Sequence, residues 1–90
     1  MTTPITTEDQ TLIGKVHSYT MRMTELARTI ERLHPESPSR KLSIDQYCEA
    51  KHFAAICRDS IVCRETRKLA NFFLRTARKP VDNSGNPVIK

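Results

Sequence analysis

The stretch from Tyr47 to Phe73, YCEAKHFAAICRDSIVCRETRKLANFF, decides how many helices this chain forms. Tyr47, Ala50, Ala54, Cys57 and Ile61 follow one another at the three- and four-residue spacing of a single helix face. Val62, Thr66, Leu69 and Phe73 repeat that spacing one residue out of step, about 100° further around the axis. One straight helix would present the two stripes to different neighbours. Neither Gly nor Pro lies between Pro38 and Pro80, so the covalent chain permits one long helix and only the phase of the apolar residues argues against it. The shift follows Arg58, Asp59 and Ser60, a polar triplet that contains capping residues. A break at residues 58–60 is therefore expected, with helix 2 over about 43–58 and helix 3 over about 60–79. A single kinked helix is the alternative.

Upstream, Leu12, Val16, Tyr19, Met23, Leu26, Ile30 and Leu33 form an unbroken heptad stripe, which predicts a long helix 1 over about 7–34. Thr7 with Gln10 has the spacing of a capping box, and Glu8 and Asp9 suit the positive end of a helix dipole. Ile13, Thr20 and Ala27 widen the stripe on one flank, while Lys15 and Arg22 on the other lack the acidic complement of a two-stranded zipper. A bundle helix fits this pattern better. The same stripe is also the surface through which two copies of the chain would pair. Between the first two helices, His34 to Lys41 reads as a loop of about eight residues, since a residue ahead of proline is pushed from helical geometry. Ser43 with Gln46 then matches a second capping box, and Leu42 with Tyr47 a hydrophobic staple.

These readings define an all-α fold, a small helical bundle or helical hairpin. Residues 1–79 form one helical domain, with a short polar lead at its start, and residues 80–90, PVDNSGNPVIK, a flexible tail. A chain of 90 residues buries only about 60 to 65% of its unfolded surface, so there is room for one core.

Charge is distributed unevenly. Residues 60–90 carry seven Lys/Arg against two Asp/Glu, and the rest of the chain is nearly balanced. Within that last third, Arg64, Arg67, Lys68, Arg75, Arg78 and Lys79 gather on one side of helix 3, opposite Val62, Leu69, Phe73 and Ala77. A basic strip of this kind suits phosphates or an acidic protein surface. The dipole accounts for Arg78 and Lys79 at a helix end, but not for Arg64, Arg67 and Lys68 near its start. Asn71 and Thr76 are the nearest polar residues to base readers, and neither is central to the strip. Phe72, nearer its edge than Phe73, is the aromatic placed for an exposed contact with a base or a protein. A helix-turn-helix would make helix 3 a recognition helix, although residues 58–60 lack the frequent turn glycine.

No glycine-rich phosphate loop, nucleophile elbow or helical H-E-x-x-H motif is present. Asp45, Glu49 and Asp59 are spread around helix 2. Cys48 and His52 share a face, yet Cys57 and Cys63 project elsewhere, so no tetrahedral metal set forms. His52 and Cys57 diverge by about 140°, which separates a thiol from its base. The expectation is a non-enzymatic protein without metal or cofactor. Three cysteines with neither a signal-like start nor an apolar span point to a reducing, cytoplasmic setting and no membrane. The function expected is nucleic-acid association through the basic face. The alternatives are a regulator, adaptor or inhibitor of a larger, nucleic-acid-processing host complex, such as phages encode, and a structural homo-oligomer.

Overall fold

The structure, a computed structural model, describes residues 6–89; the polar lead over 1–5 and the last residue of the tail lie outside them. Three helices follow one another, α1 (Thr7–Arg32), α2 (Pro38–Ser60) and α3 (Arg64–Thr76). The end of α1 meets the start of α2, where Arg40 Nε donates to the Ile30 carbonyl at 3.4 Å. The start of α1 meets the α2–α3 joint through Asp9, and the end of α3 meets Thr24 of α1 and Tyr47 of α2. The three helices thus run up, down and up as a small bundle, with α1 and α2 as the principal antiparallel pair.

The core follows the apolar periodicity. One part gathers Met23, Ala27 and Ile30 of α1 with Tyr47 and Ala50 of α2 and Ala77; the other gathers Val16, Ile61 and Ala70. The stripe of α1 is thereby buried inside the chain at Val16, Met23 and Ile30, with Thr20 and Ala27 widening it as expected. The α2 stripe at Tyr47, Ala50, Ala54 and Ile61 is buried too.

Helix boundaries depart from the sequence reading in four places. The N-cap of α1 is Thr6, whose hydroxyl accepts from the Asp9 amide at 3.1 Å, one residue ahead of the expected Thr7–Gln10 box. Helix α2 begins at Pro38 rather than residue 43, because proline at the first helical position removes an amide that has no partner there in any case. Ser43 is consequently a buried residue inside the helix, and Leu42, 59% exposed, staples nothing. The break between α2 and α3 is real but falls at Ile61, Val62 and Cys63, after the polar triplet. Arg58 pairs with Asp59 at 3.1 Å and the Ser60 hydroxyl donates to the Ile56 carbonyl at 3.0 Å, so the triplet completes α2 instead of ending it. Finally, α3 stops at Thr76, well short of Pro80, as the chain turns onto α1.

The break is stabilised from a distance. The carboxylate of Asp9, 2% exposed, accepts from the Val62 amide at 3.1 Å and the Cys63 amide at 2.8 Å. Arg67 returns from α3 to donate twice to the Ile61 carbonyl, at 3.2 and 2.7 Å. Backbone groups freed by interrupting a helix must find partners when buried, and here one acid and one base supply them.

Residues 80–89, expected as a free tail, fold back. Val81 bridges Pro87, and Asp82 accepts from the amides of Ser84 and Asn86 at 2.8 and 2.9 Å. Gly85 takes the left-handed φ of 81° that the turn requires. Pro80 is fully buried, and Val88 and Ile89 pack on the core beside Tyr47.

Replacing Asp9 with Ala removes the acceptor of two part-buried amides and empties a buried position. We expect a loss of about 2–4 kcal/mol, read from the midpoint of urea unfolding, with Asp9→Asn intermediate and Glu8→Ala within about 0.5 kcal/mol of wild type.

Candidate functional site

Helix α3 presents the basic strip, and the joint sets its rotation. Its buried side consists of Thr66, Ala70 and, half-buried, Phe73, continued by Ala77. Thr66, Phe73 and Ala77 lie on the expected side; Val62 and Leu69, expected there too, do not. Val62 is 81% exposed and Leu69 45%, because the small residues Thr66 and Ala70 allow close approach to the rest of the bundle while the larger side chains stay on the flank. His17 of α1 meets the Phe73 ring with centroids 5.0 Å apart.

The six cations of the strip separate into two groups. Arg64, Lys68 and Arg75 lie within about 40° of one another on the helical wheel, opposite the buried side, and all three are exposed. Among the described residues none of the three has a hydrogen-bonded or ion-paired side-chain partner; the Arg75 guanidinium lies 5.9 Å from the centroid of the Phe72 ring. Asn71 is exposed on the same row, between Lys68 and Arg75. Arg67 is different, since its guanidinium closes the α2 C-terminus.

Arg78 and Lys79 lie beyond the helix. Arg78 donates to Glu31 through Nε at 3.0 Å and Nη2 at 2.6 Å, while the other Glu31 oxygen accepts from the Val81 amide at 3.2 Å. The Arg78 amide donates to Thr24, and Tyr47 donates its hydroxyl to the Arg78 carbonyl at 3.1 Å. This residue therefore clasps the C-terminal segment to α1 and α2. Lys79 is exposed. The working strip is shorter than the sequence suggested, because hydrogen bonds to groups far along the chain leave no trace in local spacing.

Beside the row, Leu69 and Phe72 are three residues apart and about half exposed, at 45% and 48%, with Glu65 exposed towards the N-terminal end of that flank. Thr76 donates its hydroxyl to the Phe72 carbonyl at 2.9 Å. Two cations overlooked in the sequence, Arg28 and Arg32, join Arg78 around a groove of about 550 Å³ near the end of α1. Glu25 and Glu31 line the same groove and offset most of their charge. The signal available in the sequence was the four-residue spacing of Arg28 and Arg32.

A helix-turn-helix would cross its two helices at roughly 90 to 120°. Here the chain just past α3 reaches back to Tyr47 of α2 through the Arg78 carbonyl, and the joint over residues 61–63 carries no glycine. Cys48 and His52 are exposed on α2, Cys57 and Cys63 are half-buried, and no three His, Cys, Asp or Glu side chains converge among the described residues. Cys63 is the N-cap of α3. The buried Thr66 hydroxyl, which makes no other hydrogen bond among the described residues, together with the amides of Thr66 and Glu65 lowers the pKa of its thiol from the ordinary value, without forming a side-chain cap. No described helix is long and apolar enough to cross a membrane.

The fold and site define a three-helix bundle with a short cationic row on its third helix. Compared with known proteins, the chain matches no family model, no curated protein and no solved structure.

Two outcomes test these environments. Arg78, the Val81 amide and Arg28 hold the Glu31 carboxyl below 4.5. A lowered folded-state value means that the clasp contributes its full stability above about 4.5 and loses it as pH falls through the folded value. The protection factor of the Val81 amide, the ratio of its intrinsic to its observed exchange rate at the same pH, should fall selectively on that descent, and Glu31→Gln should remove the dependence. Separately, iodoacetamide at neutral pH should label Cys63 ahead of the more exposed Cys48, as mass spectrometry of timed aliquots would reveal.

Proposed function

We propose that this protein is a non-enzymatic binding protein that holds a nucleic-acid phosphate backbone against the outward side of α3. The observation that carries the reading is the row Arg64, Lys68 and Arg75, exposed and directed away from the core without an internal ion pair among the described residues. Cations kept free at a position where the fold has no use for them supply a field for a polyanion. Phosphate contacts of this type give affinity through counterion release and little sequence information. Lys79, exposed just past the helix, extends the field, whereas Arg67 and Arg78 contribute charge from fixed positions.

A second reading assigns the same side to an acidic protein surface, making the chain an adaptor or inhibitor of a larger complex. Half-exposed Leu69 and Phe72 favour it, since apolar side chains beside cations are common at protein interfaces. Homo-oligomerisation through the α1 stripe has less support, because Val16, Met23 and Ile30 are already buried within the chain. The free thiols Cys48, Cys57 and Cys63 support a reducing, cytoplasmic setting as part of the proposal.

Titration of a labelled oligonucleotide at increasing salt tests the phosphate reading. Three contacts predict a logarithmic slope of about −2 to −3. Combined Arg64→Glu, Lys68→Glu and Arg75→Glu should abolish binding with an unchanged urea midpoint. Absence of binding at 50 mM salt would overturn the nucleic-acid reading.

A further inference from the structure

The outward surface of α3 carries two kinds of side chain next to each other. Arg64, Lys68 and Arg75 form the cationic row, and Leu69 and Phe72 lie roughly 60 to 120° around from its centre, on one flank. Both apolar side chains are about half exposed although the bundle offers Ala70 and Thr66 to its interior. A duplex gives such a surface little to do on the apolar side: its outside is phosphate and sugar, and its bases are stacked inside. A single strand exposes phosphates along one edge and the faces of its bases along the other.

We propose that the nucleic acid bound on α3 is single-stranded, with phosphates on Arg64, Lys68 and Arg75 and bases against Phe72 and Leu69. This rests on the phosphate-binding reading above and specifies its ligand. Every base has a π-face, so an exposed phenylalanine accepts any of them. The Arg75 guanidinium, 5.9 Å from the centroid of the Phe72 ring, already lies against that ring and is placed to meet the phosphate of a base stacked on it. Asn71, exposed between Lys68 and Arg75, supplies amide hydrogen bonds to the same strand without imposing a base choice. Glu65 at the N-terminal end of the flank repels phosphate there, which orients the backbone to the cationic side. The α3 row from residue 64 to 75 spans about 16 Å, so the site is short and its affinity modest.

Fluorescence anisotropy with a labelled fifteen-nucleotide oligothymidine and a labelled fifteen-base-pair duplex, both at 50 mM salt, tests this. The single strand should bind at least tenfold more tightly than the duplex. Phe72→Ala should weaken single-strand binding by about 5- to 150-fold, the range expected for losing one stacked base, and leave duplex binding unchanged. Phe72→Trp should restore it. The urea midpoint of each variant checks that the fold survives, as a half-exposed position allows. Equal affinity for both probes, insensitive to Phe72→Ala, overturns the single-strand inference while the phosphate reading stands. No binding of either probe overturns both and leaves the acidic protein surface as the partner of this side.

Discussion

A buried carboxylate at the start of the chain holds the joint near its middle. Asp9 accepts from the amides of Val62 and Cys63, more than fifty residues away, and so joins the first turn of α1 to the segment where α2 ends and α3 begins. Without an acceptor there, leaving the helix at Ile61 would leave two backbone donors without a partner at a part-buried joint. Arg67 completes the arrangement from the other side by donating to the Ile61 carbonyl. The bundle is thus closed at this end by polar contacts, and Val16, Ile61 and Ala70 pack as the adjacent part of the core.

The opposite end is closed in a similar way with different groups. Arg78, Glu31, Thr24 and Tyr47 fasten the chain as it leaves α3, and the turn around Asp82 brings Val88 and Ile89 onto the core. A chain of this size has little core to stabilise it, and side chain to backbone bonds that span the sequence reduce the freedom of both ends of α3. The consequence for function is direct. Two arginines that a helical wheel assigns to a basic face become structural, and the cations left free are those for which the fold has no internal partner.

Much of the architecture was legible from spacing alone. The α1 stripe, the α2 stripe and the change of phase after Ile61 are periodic signals, and periodicity survives into the structure because helix geometry imposes it. The position of the break was not legible to better than a few residues. Arg58, Asp59 and Ser60 look like a cap, but the carboxylate that holds the joint comes from Asp9. The inner side of α3 was legible at Thr66, Phe73 and Ala77, but hydrophobic bulk also suggests Leu69 and Val62, where close packing instead selects the small Ala70.

By itself the sequence determined the class of fold, the three helices, most of the core on α1 and α2, and the concentration of positive charge in the last third, since all of these depend on local composition and period. Tertiary structure decided where the second helix stops, which side of α3 faces inward, that the C-terminal segment folds back, and which cations remain free. Those are settled by packing and hydrogen bonds between residues distant in the chain, and a one-dimensional pattern holds no record of which distant groups will meet.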